Sequence, residues 1–198
     1  MTTPQPSLIF ATHNAHKLEE VSAMLSDTGT NLLGLRDINF NEEIHETGDT
    51  LRDNASIKSQ TIHEATGQSV FSDDSGLEVL ALGMDPGVLT ARYAGAGRDN
   101  MANMEKLLSE LSSHSDRTAR FRTVISLIWA GEEHFFEGIV NGRIAMKQEG
   151  EKGFGYDPIF IPYGYDRTFA QLPSDVKNGM SHRYRAICQM QRFLLTKL

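Results

Sequence analysis

Strand-like and helix-like stretches alternate through the first half of the chain, and then two strand-like stretches follow one another directly. Ser7 to Ala11 (SLIFA) is a short apolar run, the pattern of a buried strand. Thr12-His13-Asn14 follows, and then Leu18, Val21 and Leu25 recur at helical spacing, with Thr12 or Asn14 available as a cap. A second helix is predicted from near Thr50 to Ala65, ending at Gly67. Its Thr50 and Asp53 have capping-box spacing. Gln68 to Ser72 and Leu77 to Leu80 read as strands, and LGMDPG (82–87) carries turn chemistry. Asp99 can open a helix with Met101, Met104, Leu108 and Leu111 inward. Phe121 to Trp129 and Phe135 to Val140 then read as a hairpin turning around Gly131-Glu132. GFGYDP (153–158) is a Gly-rich loop leading into a short strand, IFIP. His182 to Leu195 is helical, with Ile187, Met190 and Leu194 on one side. Early alternation followed by a hairpin makes an α/β protein with a mixed sheet.

A chain of 198 residues fits one domain, or two lobes sharing a core, and no internal repeat or long linker divides it. Hydrophobic residues at 39% and charged residues at 23% are ordinary for a soluble globular protein. No window approaches the apolar length of a membrane span, so no membrane partner is expected. MTTPQPSLIF lacks the basic and apolar regions of a signal peptide; residues 1–6 read as a flexible polar tail. The single cysteine, Cys188, excludes an internal disulfide and a Cys-rich metal site, and a cytoplasmic setting is expected. Asn54-Ala55-Ser56 matches a glycosylation sequon, which outside a secretory context is a coincidence. A net charge of −7 argues against binding to a nucleic-acid backbone. It leaves room for a small anion held by a local basic pocket or a metal ion.

THNAHK (12–17) stands between a strand and a helix. The first turn of a helix has unpaired N–H groups and a partial positive charge, and phosphate binds well there. Thr12 and Asn14 add donors and Lys17 adds a charge. The alternative is a plain strand–turn–helix with a solvated lysine. In the second helix Leu51, Ala55, Ile62 and Ala65 form one stripe, and Lys58 falls on it. A lysine there either snorkels out or meets a phosphate or carboxylate, because an unpaired buried charge is costly. Glu46, in HETGD just upstream, reads alone as a surface or capping acid. Asp73 and Asp74 are adjacent carboxylates, each raising the cost of ionising the other, and a divalent cation relieves that cost. Neighbours on a strand point to opposite faces, so the pair can share one metal only if the strand has ended. Otherwise one carboxylate serves a metal and the other a water, or both belong to a capped turn.

GFGYDP offers an aromatic face and an acid: Phe154 can stack on a base and Asp157 can hydrogen-bond to it, or the segment is a turn with buried aromatics. Lys177 and Ser181-His182-Arg183 gather donors at a helix start, where an Arg or Lys suits a purine keto oxygen. The alternative is a capped helix with basic residues toward solvent. His63-Glu64 and His45-Glu46 lack the second His of a zinc helix. Ser75 has no evident His–Asp partnership.

Taken together and in order, FATHNAHKLEE (10–20), ETG with NASIK (46–58), FSDDSGLEV (71–79), PGVLTARYAG (86–95), GFGYDPIF (153–160) and Lys177 with SHR (181–183) resemble the inosine triphosphate pyrophosphatase family, in its bacterial form. The resemblance spans nearly the whole chain. It implies an elongated two-lobed α/β fold over residues 1–198 with a central substrate cleft, a homodimer, and Mg²⁺ as cofactor. It also implies a purine nucleoside triphosphate (ITP, dITP or XTP) cut to monophosphate and pyrophosphate by water attacking the α-phosphorus. On the same ground Asp74 is the general base with Lys58 beside it, and Glu46, Asp73 and Asp74 bind or orient metal and water. Thr12, Asn14, Lys17, Lys58 and Ser75 hold the triphosphate, with His13, Ala15 and His16 completing the turn. Phe154, Gly155, Tyr156, Asp157, Lys177, His182 and Arg183 form the base pocket. The chain departs from the family at His13, where a small residue is usual, and at His45, where an acid is frequent. It departs again at Leu89-Thr90, where an aromatic-Ser pair is common.

Overall fold

The computed structural model describes residues 7–26 and 30–197; the predicted tail, 1–6, lies outside the described residues. The elements are β1 (Ser7–Phe10), α1 (Ala15–Leu25), β2 (Asn31–Gly34), α2 (Leu51–Thr66), β3 (Val70–Val79), α3 (Asn100–Glu110), β4 (Thr118–Trp129), β5 (Glu132–Ile144), β6 (Phe160–Pro162), α4 (Ser174–Asn178) and α5 (His182–Leu195). Six strands form one sheet in the order β2-β1-β3-β4-β5-β6. β1 runs parallel to β2 and to β3, and β5 antiparallel to β6, so the sheet is mixed, as predicted.

Contacts divide the chain into two compact units: Met1–Asp74 with Val124–Glu137 and Arg183–Leu198, and Ser75–Thr123 with Gly138–His182. In the first unit, alternation along β1 sorts the core. Leu8 and Phe10 pack with Val21 and Leu25 of α1, Phe71 of β3, and Ile187 and Met190 of α5. Ile9 and Ala11 pack with Ile62 of α2, Val70 and Leu35. Hence α1 and α5 cover one face of these strands and α2 the other. Phe10 and Phe71 stack with ring centroids 4.5 Å apart across the parallel pair. Each such fully buried side chain contributes roughly 1.5–3 kcal/mol through burial. In the second unit the core joins Leu77 and Val79 to Met104, Leu107 and Leu111 of α3, and to Phe121, Phe160, Phe169 and Leu172.

Local chemistry starts and stops the helices. Asn14 caps α1, its side chain accepting from Lys17 N, and Asp99 caps α3 through Met101 N and Ala102 N. Thr50 caps α2 by accepting from Asp53 N, and its hydroxyl donates to Asp53 Oδ2 at 2.7 Å. Gly67 ends that helix at φ 66°, a left-handed conformation that glycine adopts without strain.

Several sequence expectations shift. Gln68–Ser72 and Leu77–Leu80 are not two strands; one strand, Val70–Val79, runs straight through the aspartates. The charges do not break it because cationic side chains meet them. The hairpin turns at Ala130-Gly131, both at positive φ, and its strands extend well beyond the predicted runs. A two-residue loop of that kind matches strand twist. β2, as short as β1 but only partly buried, lacks the apolar run by which SLIFA reads as a strand. Met101 is 51% exposed, a turn ahead of the packed Met104 and Leu107. Ala65 is exposed too: from Ile62 the inward stripe passes to half-buried Thr66, four residues on.

A candidate active site at two adjacent aspartates

Because β3 continues through both aspartates, their side chains leave on opposite faces. Asp73 shares the face of Phe71, toward α1 and α5. Its Oδ1 accepts from Lys17 Nζ at 2.9 Å and its Oδ2 from Arg183 Nε at 3.0 Å, while its carbonyl accepts from Lys17 Nζ at 3.3 Å. Arg183 also donates to Glu20 of α1. Burial alone would push Asp73 up, but Lys17, Arg183 and Lys58 outweigh it and hold the carboxyl well below the usual range. Burial pulls Lys17 below an ordinary lysine; Asp73 opposes that shift, and Lys58 and Arg183 add to it. Burial likewise opposes the charge on Arg183, yet Asp73 and Glu20 raise its pKa. Asp73, with Glu20, thus belongs to a buried ion-pair network that joins α1, β3 and α5.

Asp74 faces α2. Lys58 Nζ lies 3.3 Å from Asp74 Oδ1 and 3.0 Å from Glu46 Oε1. At 6% exposure Lys58 does not snorkel; its stripe position delivers it to two carboxylates. Asn54 Nδ2 donates to Asp74 Oδ2 at 3.4 Å, and Asn54 Oδ1 accepts from Gly48 N at 2.8 Å. Burial pushes Asp74 up; Lys58 and Lys17 oppose that, but Glu46 and Asp73 reinforce it, and the net shift is upward. At Lys58 burial is outweighed by Asp74, Glu46 and Asp73, and its pKa rises. The lysine therefore keeps its proton while the carboxylate beside it is drawn toward a weaker acid, the poise of a general base.

The turn before α1 stands beside this strand. Asn14 Oδ1 serves as cap, and Thr12 Oγ1 accepts from Asn14 N at 3.2 Å. Exposed His13 meets the Glu42 carbonyl at 2.9 Å through Nε2. Ala15 and His16 are exposed at the helix start, whose first turn holds no acidic residue to offset its positive end. From this turn Lys17 reaches Asp73.

The second unit gathers the other predicted residues. Asp157 Oδ2 accepts from Lys177 Nζ at 2.7 Å and from Phe154 N at 2.8 Å. It organises its own loop from within. Gly153 has φ 77°, and a Cβ there would sit 2.1 Å from that same Oδ2, so only glycine passes. Lys177 Nζ lies 5.1 Å from the Phe154 ring centroid, and Phe154 and Gly155 are partly exposed. Tyr156, 3% exposed, is a core residue whose hydroxyl donates to the Thr90 carbonyl at 3.0 Å. His182 stacks on Phe121, centroids 4.7 Å apart and 13° from parallel. Ser75 Oγ is hydrogen-bonded to Thr123 Oγ1 at 2.7 Å.

The structure therefore joins Glu46, Lys58 and Asp74 on one face of β3, and Lys17, Asp73 and Arg183 on the other. Among the described residues no group of three or more His, Cys, Asp or Glu side chains gathers to hold a metal. Sequence reasoning missed Asn54 and Glu20. Asn54 was visible as a polar residue four positions before Lys58 on the same buried stripe. Glu20 had no local signal, since its partner Arg183 stands 163 positions away.

The profile of the Ham1 family matches residues 8–193. The chain is 46% identical over 187 residues to the dITP/XTP pyrophosphatase of Christiangramia forsetii, covering 94% of this chain and 98% of that protein. It is 48% identical over 189 residues to the dITP/XTP pyrophosphatase of Porphyromonas gingivalis, covering 95% and 97%. The solved Ham1 protein of Staphylococcus aureus superposes with a TM-score of 0.88 at 39% identity, over 97% of this chain and 100% of that one. A HAM1 protein from Coxiella burnetii gives 0.89 at 35% identity, over 98% and 100%. With a profile spanning nearly its whole length and relatives near half identity, the chain belongs to the Ham1 family.

Proposed function

We propose that this protein hydrolyses non-standard purine nucleoside triphosphates, ITP, dITP and XTP, to the nucleoside monophosphate and pyrophosphate. The names of its relatives support the substrate class. The observation that carries the mechanism is Asp74: a buried carboxylate with a raised pKa, held by Lys58 and Asn54 beside a second carboxylate. In this mechanism Asp74 takes a proton from the water that attacks the α-phosphorus, and pyrophosphate leaves. Lys58 and Lys17 stabilise charge spreading over the phosphate oxygens, and the N–H groups at the start of α1, with Thr12 and Asn14, hold the chain of phosphates. Ser75 adds a hydroxyl one residue past the base.

Mg²⁺ fits the residues present. Glu46 and Asp74 offer hard oxygens around a single ammonium, and Mg²⁺ is commonly held by one or two carboxylates together with substrate phosphates and water. Bound there, it would supply Lewis-acid polarisation of the phosphates. Asp73, committed to Lys17 and Arg183, acts in this scheme by fixing Lys17. For the base, Phe154 offers a stacking face and Lys177 a cation near it. A keto oxygen at purine position six can accept a hydrogen bond from such a cation, whereas an amino group there cannot. A homodimer, on the strength of the family resemblance, and a cytoplasmic setting, in keeping with the single cysteine, complete the proposal.

The test is a substrate panel. The purified protein with Mg²⁺ is given ITP, XTP, dITP, GTP, ATP and dTTP separately, and products are resolved by ion exchange. Monophosphate and pyrophosphate from ITP, dITP or XTP, with little from ATP or GTP, is the expected result. Preference for dTTP, or release of diphosphate and orthophosphate, would overturn it.

A further inference from the structure

We infer that Asn54 is a positioning residue for the general base, setting the Asp74 carboxylate and the loop carrying Glu46 in one register. This rests on the proposed hydrolysis with Asp74 as base. Asn54 is 0% exposed, so both ends of its amide need partners. Gly48 N–H can only donate, so the group 2.8 Å from it is Asn54 Oδ1, and the amide nitrogen must face Asp74 Oδ2. The orientation of the amide follows from chemistry alone. Lys58 holds Asp74 Oδ1 and Asn54 holds Oδ2, so the plane of the carboxylate is set by two donors from successive turns of one helix.

The other end of the amide ties down the loop. Gly48 stands two residues after Glu46, and a Cβ on it would lie 2.5 Å from Asp53 Cβ and 2.9 Å from Asn54 Oδ1. The loop passes over the start of α2 at a distance only glycine permits. A shift of Asn54 therefore moves the base and the Glu46 loop together. A purely structural Asn54 would satisfy Gly48 N–H and nothing more, and its loss would lower stability without reference to Asp74.

A double-mutant cycle separates these roles. kcat and KM for dITP, and melting temperature, are measured for wild type, Asn54→Ala, Asp74→Asn and the double variant. Acting through Asp74, Asn54→Ala lowers kcat about tenfold with little change in KM, and costs no further rate once Asp74 is Asn. An equal fold loss in both backgrounds, or unchanged kcat with a lowered melting temperature, overturns the inference. If Asn54→Ala does not fold by circular dichroism, Asn54→Asp, which keeps an acceptor for Gly48 N–H and removes the donor to Asp74, takes its place with the same criteria. A wild-type protein silent on dITP overturns the hydrolase reading, and this inference falls with it.

Discussion

Asp73 and Asp74 are neighbours in sequence but carry opposite electrostatic burdens. The folded-state pKa of Asp73 lies below its unfolded value, so its ionised form stabilises the fold at any pH above about 4, the ordinary aspartate value, and that contribution fades as pH falls through the folded value. Asp73→Asn should destabilise the protein at neutral pH by about 3–5 kcal/mol, because Lys17 loses its buried partner. Denaturant unfolding across pH should show the deficit holding down to about pH 4 and narrowing below it. Asp74 has the opposite sign. Its folded pKa is raised, so keeping it ionised at neutral pH costs stability, and that cost is relieved as pH falls through its folded value toward its unfolded one. Asp74→Asn should therefore cost less stability at neutral pH than Asp73→Asn, since Lys58 keeps Glu46 as a partner, while losing at least ~10²-fold in kcat. A variant that loses stability and keeps its rate would move the base elsewhere.

At the level of elements, the GFGYDP loop is built around Asp157, with Tyr156 anchoring it through the Thr90 carbonyl. Tyr156→Phe should cost about 1–2 kcal/mol of stability and raise KM for dITP several-fold with kcat nearly unchanged. Steady-state kinetics on dITP checks this; a fall in kcat at constant KM would place Tyr156 at the chemistry instead. Helices were readable because each announces itself locally: Asn14, Thr50 and Asp99 are caps, and Gly67 is a stop. β3 was misread as two strands because a pair of charges looks like a break when only neighbours in sequence are visible. The cations that let the strand continue, Lys17, Lys58 and Arg183, come from three helices. The same limit applies to Asp157: its residue type allows a hydrogen bond to a base, and only the fold shows it accepting from Lys177 and Phe154 N. Lys58 was the informative case: a charge on an apolar stripe forced a choice between snorkelling and pairing, and pairing prevailed.

Over the whole molecule a net charge of −7 opposes the approach of a triphosphate, so local cations have to reverse the field, and the proposed Mg²⁺ would add to them. If Mg²⁺ binds Glu46 and Asp74, it stabilises the native state by mass action, about 2.7 kcal/mol at a hundredfold excess over Kd. Thermal unfolding should therefore shift upward with Mg²⁺ in wild type and not in Glu46→Gln. An equal shift in both proteins would remove Glu46 from the metal site. The central claim is more specific than metal binding: water activated by Asp74 attacks the α-phosphorus. Hydrolysis of dITP in heavy-oxygen water, with mass spectrometry of both products, tests it most directly. Attack at the α-phosphorus leaves the label in the monophosphate and none in pyrophosphate. Label in pyrophosphate would put the attack on the β-phosphorus and contradict attack at the α-phosphorus.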